Sequence, residues 1–286
     1  MTGASGFLGW NICSVAHKSW DVFGVAFSNP IEIPGISIKI VDLTDFYILK
    51  QLFIDVVPDA VIHAAAAANT DYCQLNQAGS HKINVDTSIT IAGLCMERNI
   101  PLVFVSTDMV FDGLNAPYKE EDSVCPVNVY GEQKVLAEKE MVKRCPEMTI
   151  CRTSIMFGHH PDRTKNWFQK NIESMRMQQE VQLFVDEYRT FLSVRKAVSG
   201  LLLAIDNISG ILHLSGDERI SRYDFARLVT DVFQINNARL IPCDLTDVPV
   251  KAPRAKDLSL DNSKAKAFGF NPSSIEKELE ALSNII

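Results

Sequence analysis

The sequence predicts an α/β protein, a doubly wound parallel sheet followed by a smaller mixed α/β lobe. Three observations predict it. The chain opens on "TGASGFLGWNI", Thr2 to Ile12, where Gly3, Gly6 and Gly9 run straight into an apolar helical pattern. Through residue 157, apolar β-branched segments alternate with amphipathic helical ones, the pattern of parallel βαβ units covered on both faces. From Gly158 onward the alternation loosens.

Glycine suits backbone at positive φ, or backbone that approaches something closely. A helix start gathers unpaired N–H groups and the positive end of the dipole. The triplet therefore fits a phosphate-binding turn, and equally a loop with a helix cap, because such a motif gains meaning only inside a strand-turn-helix unit. A dinucleotide-binding turn follows a buried strand of about five residues. Only Met1 and Thr2 precede Gly3, so the expectation is a first strand lost or left behind in a longer chain.

Phe7 to Lys18 reads as a helix, "DVFGVAF" from Asp21 as a strand, "ISIKIVDL" as an alternating strand and "FYILKQLFIDV" as a helix. "DAVIHAAA" from Asp59 is a buried strand, "KINVDTSITIAGLCMERN" a long helix, and "PLVFVSTD" a strand. "NVYGEQKVLAEKEMVKR" follows as a helix and "MTICRTSI" as a strand. In the second lobe "WFQKNIESMRM", "SVRKAVSGLLLAI" and "SRYDFARLVTDVFQI" read as helices, the last with Ser221 as N-cap. "GILHLSG" is a strand, and the tail holds two short helices split by Gly269 and Pro272.

The composition excludes several classes. With 286 residues, 47% apolar and 22% charged, the chain is an ordinary globule. A net charge of −7 without clustered Lys and Arg excludes a nucleic-acid footprint. No apolar run approaches the ~18 residues of a membrane span. Seven scattered cysteines without a Cys-x-x-Cys pair fit reduced thiols in a cytoplasmic protein, and no metal-ligand spacing is visible.

In a doubly wound sheet, ligands bind beyond the carboxyl ends of the strands. The residues there are Gly3 to Gly9, Ser28 and Asn29, Asp42 and Leu43, His63 to Ala66, Ser106 to Asp108, and Arg152 to Ser154. Tyr130 and Lys134 stand i, i+4 and share one helix face. A tyrosine with its ordinary pKa near 10 is a poor catalyst at neutral pH, but a nearby ammonium favours the phenolate. Such a pair on an exposed helix is commonplace; beside Thr107 and the glycine turn it forms a proton-transfer group.

In this order, "TGASGFLG", "HAAA", "STDMVFDG", "NVYGEQK" and "RTSIMFG" resemble the extended short-chain dehydrogenase/reductases, and within them the dTDP-4-dehydrorhamnose reductase branch. The resemblance covers nearly the whole chain, through "DEYRTFLSV", "GILHLSG", "SRYDFARL" and "RAKDLSLDNSKAKAFGF". It implies a Rossmann-type dinucleotide-binding domain over 1–157, to which 191–214 returns, and a substrate-binding lobe over 158–286. It implies NAD(P)H-dependent reduction of a nucleotide-activated 4-keto sugar, with a nucleotide-sugar partner and room for a homodimer. Tyr130 would donate the proton, Lys134 would hold the ribose hydroxyls and lower the tyrosine's pKa, and Thr107 would orient the carbonyl. The same resemblance places the cofactor against Gly3, Ser5, Gly6, Phe7, Leu8, Ser28, Asp42, Leu43, His63, Ala64, Ala65, Ala66, Tyr130 and Lys134. Asn84 matches a position supporting the active-site helix and proton relay, or is a helix-interior amide.

Departures from the family pattern narrow the chemistry. Related dehydratases carry Asp-Glu after the strand-end threonine, whereas Asp108 is followed here by Met109, which disfavours dehydration. Reductases of the rhamnose pathway tend to have an aromatic residue after "RTS"; Ile155 stands here and leaves the sugar open. An acidic residue at Ser28 would favour NAD; its absence leans to NADP, though no Arg or Lys adjoins to hold a 2′-phosphate. Asp42 sits at the adenine edge or caps the following helix. Thr107, Asp108 and Arg189 are substrate candidates, since a guanidinium fork matches phosphate oxygens; Arg189 equally suits a surface ion pair with Asp186 or Glu187. His159, His160 and Arg163 lie in a substrate loop or are simply solvated. The alternatives to a reductase are a sugar-nucleotide epimerase and a non-catalytic regulatory subunit like that of methionine adenosyltransferase, a branch that keeps this fold.

Overall fold

The glycine turn leads into α1 (Phe7–Ala16), and strands and helices then alternate as the β-branched segments dictate: β1 (Phe23–Ala26), β2 (Ser37–Ile40), α2 (Phe46–Val56) and β3 (Val61–His63). The computed structural model describes residues 1–28, 31–161, 166–205 and 208–285, so Asn29 and Arg163 lie outside the described residues. Next come α3 (Thr70–Leu75), α4 (Gln77–His81), a π-helical segment over Lys82–Asp86, α5 (Thr87–Glu97) and β4 (Leu102–Thr107). A 3₁₀ turn, Asp108–Val110, precedes α6 (Val129–Arg144) and β5 (Thr149–Thr153).

Four strands pair in parallel in the order β3-β4-β5, with the last strand, given below, outside β5. β1 and β2 pair in parallel as well. Thr2 joins the two groups, bridging Val25 of β1 and His63 of β3, both in parallel. Parallel strands twisted by right-handed crossovers bury both faces, and the side chains alternate accordingly. Val61, Leu102, Phe104 and Ile150 pack with Leu49, Leu52, Ile91 and Met141 from α2, α5 and α6. Ile62, Val103 and Cys151 pack on the opposite face with Leu8 and Ile12 of α1.

The remainder comprises β6 (Met156–Phe157), α7 (Trp167–Arg176), β7 (Glu180–Phe184), β8 (Tyr188–Thr190), β9 (Leu192–Ser193), α8 (Val194–Leu203), β10 (Gly210–Leu214), β11 (Arg219–Ser221), α9 (Arg222–Val232), β12 (Arg239–Cys243), α10 (Ser263–Ala267) and α11 (Ile275–Ser283). β10 pairs with β5 in the main sheet, and Val198 and Leu201 of α8 share the core of α1. A separate core gathers Phe157, Phe168, Phe191, Phe225 and Leu279, with Phe191 stacked on Phe225 at a 4.0 Å centroid separation. Small pairs serve this region, β7 with β12 in parallel and β8 with β11 antiparallel.

Sequence and structure differ at instructive places. The long helix expected over 82–99 starts as the π turn, where the Thr87 hydroxyl donates five residues back to the Lys82 carbonyl at 3.0 Å. α3, α4, β7 and β12 are elements beyond those the sequence predicts, and β7 alternates buried and exposed residues over only five positions. Ser221 does cap α9, accepting from the Asp224 N–H at 2.9 Å. All seven cysteines are free thiols. Among the described residues, no helix is long and apolar enough to cross a membrane.

Two glycines show how local space decides tolerance. A Cβ on Gly9 would lie 2.0 Å from the Gly3 carbonyl oxygen, while one on Gly93 within α5 would meet nothing within 4 Å. Gly9→Ala should destabilise by about 1–3 kcal/mol or more through overpacking. Gly93→Ala should stabilise by about 0.5–1 kcal/mol by narrowing the unfolded ensemble. Urea unfolding midpoints of the two variants should move in opposite directions.

Candidate active site

The opening turn has the shape of an anion cradle. Gly3 sits at φ +75°, and a Cβ there would lie 2.9 Å from the Ala65 amide nitrogen. Gly6 is the N-cap of α1 and provides no capping side chain, so the first amides of the helix stay open to a ligand. Thr2 orders the turn from beneath: its hydroxyl pairs with His63 Nδ1 at 2.7 Å and accepts from the Ala65 N–H at 3.2 Å. His63 is fully buried, its Nε2 pairs with the Ser88 hydroxyl at 3.0 Å, and burial drives its pKa down to about 3. It is therefore a neutral support under the cleft floor, and Ala64 to Ala66 form the floor above it.

At the outer end, Ser28 is exposed beyond β1. Asp42 accepts from the Thr44 N–H at 2.9 Å and the Thr44 hydroxyl at 2.8 Å, bonds that lower its pKa. It fixes the loop; the cap of α2 is Asp45, which accepts from the N–H groups of Tyr47 and Ile48. Leu43 packs partly buried against the core beside it.

The second group lies where β4 ends. Thr107 accepts from the Met109 N–H and donates to Asp108 Oδ1, both at 3.2 Å. Helix α6 is pressed onto this turn, since a Cβ on Gly131 would lie 2.2 Å from the Met109 carbonyl oxygen. Its N-cap Asn128 accepts from the Gly131 N–H at 2.9 Å. Tyr130 thereby packs with Cys73, Ala67 and Met109. Burial, then Cys73 and Asp108, pushes its phenol well above the ordinary value.

Lys134 lies one turn further on and is 2% exposed. Its ammonium donates to the Val105 carbonyl at 2.7 Å and stands 3.9 Å from the Phe104 ring centroid. Burial lowers it to about 7, opposed by Glu138. The lowering of the tyrosine expected from Lys134 does not act on this phenol: burial, Cys73 and Asp108 all raise it.

Arg189 is buried instead of lying in a surface pair. It meets Glu187 at 3.1 Å and Asp108 at 3.6 Å, and donates to the Tyr188 carbonyl at 2.7 Å. Glu187 also faces Arg254 at 3.4 Å and Arg222 at 3.8 Å. Three guanidiniums therefore surround two carboxylates. Asp186 pairs elsewhere, with Lys256 at 3.5 Å. His159 offers its carbonyl to Asn11 and its ring to Gln169, and the His160 backbone bonds Gln169, so this loop is stitched to α1 and α7.

Asn84, which the resemblance singled out, stands with residues that sequence reasoning missed, Ser80, Gln133 and Glu138. Asn84 accepts from the Ala67 N–H at 2.8 Å and donates to Gln133 at 2.9 Å, while Gln133 donates to Ser80 at 2.8 Å. That ties α6 to the π turn and makes Asn84 a clasp. Glu138 takes two bonds from Arg152 and one from Ser106. Its i+4 spacing from Lys134 was the available signal. Among the described residues no cluster could hold a metal ion.

The RmlD substrate binding domain family matches residues 1–285. This chain belongs to that family. Methionine adenosyltransferase 2 subunit beta of Pongo abelii is 28% identical over 283 residues, 94% of this chain and 82% of that protein. The dTDP-4-dehydrorhamnose reductase of Aggregatibacter actinomycetemcomitans is 28% identical over 297 residues, 98% and 96% of the two chains. A crystal structure of a hypothetical dTDP-4-dehydrorhamnose reductase from Sulfolobus tokodaii is 31% identical, with TM-score 0.84 over 96% of this chain and 97% of that one. The Bacillus anthracis dTDP-4-dehydrorhamnose reductase, solved with NADP, is 22% identical with TM-score 0.86 over 100% and 98%, a likeness of fold. The parallel sheet β3-β4-β5-β10 agrees with the fold likeness to these solved structures.

Asp108 gives the site a measurable pH signature. Burial raises it from 3.8 to about 6 against the opposing pull of Arg189. Between those values the folded state holds a proton that the unfolded state releases, so stability falls as pH rises from about 4 to about 6. Asp108→Asn cannot ionise. The stability of the wild type relative to the variant should fall by about 2 kcal/mol as pH rises across that window, at ~1.4 kcal/mol per pKa unit with some discount for relaxation. Urea unfolding from about pH 4 to about pH 7 reads it, and a constant difference would show the carboxyl ionised throughout.

Proposed function

We propose that this protein is an NAD(P)H-dependent, cytoplasmic reductase of a nucleotide-activated 4-keto sugar, of the dTDP-4-dehydrorhamnose reductase kind. The observation that carries it is the packing of Tyr130 against Met109, in the turn that follows Thr107 at the end of β4, on a chain whose α1 begins at an open, glycine-capped N-terminus. The glycine cradle fits a dinucleotide, because side chains at Gly3 or Gly9 would occupy the space the close turn needs. Gly3, Ser5, Gly6, Phe7 and Leu8 would hold its phosphates, Ser28, Asp42 and Leu43 its adenosine end, and Ala64 to Ala66 its middle, with His63 beneath. Tyr130 and Lys134 would meet the nicotinamide ribose. When bound, the cofactor supplies hydride.

The chain's own residues do the rest. Thr107 holds the substrate carbonyl by its hydroxyl, and Tyr130 Oη gives up a proton to the carbonyl oxygen as negative charge develops there. Met109 in place of a glutamate offers no second carboxylate for dehydration. The three guanidiniums of Arg189, Arg222 and Arg254 against Glu187 and Asp108 leave a cationic surplus beside this turn, which suits a diphosphate-bearing substrate. Residues 1–157 with 191–214 would form the cofactor domain and the rest of 158–286 the substrate lobe.

A second role, as a regulatory subunit of another enzyme, is favoured by the 28% identity to methionine adenosyltransferase 2 subunit beta over 94% of the chain. Mutant kinetics separate the two. Tyr130→Phe should cut turnover of an activated 4-keto sugar by about a hundredfold or more, the usual range for a general acid, and leave cofactor affinity almost unchanged. Lys134→Met should damage both, and Thr107→Val should slow turnover less than the tyrosine change. A protein that binds dinucleotide but oxidises no NADPH with any keto-sugar nucleotide, and whose Tyr130→Phe form keeps its effect on a partner enzyme, would be the regulator.

Cofactor choice gives a further expectation. With no carboxylate at Ser28, NADPH should bind more tightly than NADH, and Ser28→Asp should shift preference toward NADH through a new ribose hydroxyl bond and repulsion of the 2′-phosphate. Calorimetric affinities for both cofactors decide it; tighter NADH binding by the wild type would overturn the assignment.

A further inference from the structure

Helix α6 buries a cation and an anion one turn apart on its inner face. Lys134 is bonded to the Val105 carbonyl, and the next strand residue, Ser106, donates its hydroxyl to Glu138 Oε1. From β5, Arg152 Nε donates to the same oxygen at 3.2 Å and Nη2 donates to Oε2 at 2.8 Å. Lys134, Glu138, Ser106 and Arg152 are all 5% exposed or less. The carboxylate is thus gripped from two strands with its position relative to the ammonium fixed by the i, i+4 spacing.

A plain fold brace would need no ammonium beside it. Buried ion pairs are commonly replaceable by apolar residues without loss of stability, yet this one stands one helical turn after a buried lysine that lies over the face of Phe104, and the two are bonded to consecutive residues of β4, Val105 and Ser106. Along its own helix Lys134 has Tyr130 and Glu138 one turn away on either side; His63 on β3 is acted on by its charge, and Arg152 on β5 holds Glu138. His63 is held neutral and Arg152 is committed to Glu138. Among the described residues, Glu138 is the anion acting on the ammonium.

We propose that Glu138 is a positioning residue that keeps Lys134 cationic, with Ser106 and Arg152 aiming its carboxylate. The catalytic consequence rests on Lys134 serving the dinucleotide as proposed above; the charge relation itself does not. With Lys134 already lowered to about 7 by burial, removing Glu138 pushes it lower still, so the cation is lost at a lower pH.

The test is ¹³C NMR of the full chain with labelled lysine, the Lys134 resonance being assigned by its disappearance in Lys134→Met. Glu138→Gln should move the Lys134 titration down by about one pH unit or more, and Glu138→Asp, which keeps the charge but draws it back, by less. In parallel, calorimetric NADPH affinity should fall away at correspondingly lower pH in both variants. Should Glu138→Gln fail to fold by circular dichroism, Glu138→Asp decides. An unmoved Lys134 titration in the folded variants overturns the role of Glu138 whatever the activity. A moved titration with no NADPH binding in the wild type supports the charge relation and counts against the reductase instead.

Discussion

Helix α6 is held in register over the sheet by one buried carboxylate, Glu138, tied to two strands at once, through Ser106 of β4 and Arg152 of β5. Leaving either charge of such a buried pair alone costs about 3–5 kcal/mol, so the register of α6 over the sheet is not free to drift. Each residue of an α-helix advances ~100° around its axis. A slip of one position would therefore turn Tyr130 away from the Thr107–Asp108 turn and Lys134 away from the Val105 carbonyl. The ion pair is a stability risk whose removal is not simple, because it fixes which face of the helix looks inward.

The other end of α6 is fixed by exclusion of volume. Gly131 is the residue that lets the helix touch the Met109 carbonyl, and Gly3 and Gly9 let α1 close on its own turn. Between these contacts, Asn84 bonds both backbone groups of Ala67 and the amide of Gln133. Its position inside a π segment, where an extra residue is wound into the turn, aims the amide sideways at α6. π turns gather at functional sites, and here the segment connects the cleft floor after β3 with the helix that bears Tyr130.

Much of this was legible in the sequence where the signal is local. The continuous apolar runs of "DAVIHAAA" and "PLVFVSTD", buried almost throughout, the cap at Ser221 and the glycine turn each follow from residues within a few positions of one another. β7 and β12 were not legible, because "EVQLF" and "RLIPC" find their partners across more than fifty residues, and while Val181 and Leu183 of β7 are buried, no residue of β12 is. Arg189 offered two readings from sequence, and its burial between Glu187 and Asp108 depends on β8 crossing beside the end of β4. Asn84 was visible as a motif residue, but the long helix expected around it concealed the π turn that aims it.

The electrostatics of the site were the least legible part, because two effects of opposite sign compete there. An i, i+4 ammonium would favour a phenolate, while burial disfavours every charge; in this fold burial raises Tyr130 and lowers Lys134 together, with Cys73 and Asp108 adding to the rise of the phenol and Glu138 opposing the fall of the ammonium. A tyrosine held protonated is suited to donate, provided the oxygen it serves becomes more basic than the phenolate left behind, as a carbonyl oxygen does on becoming an alkoxide. The difficulty then shifts to the phenolate, which is left in a water-poor pocket near Asp108. On the proposed mechanism the lysine's charge matters chiefly after proton transfer, when a cation must offset that phenolate. The protonation of Lys134, more than the resting acidity of Tyr130, is then the quantity that sets how the reaction responds to pH.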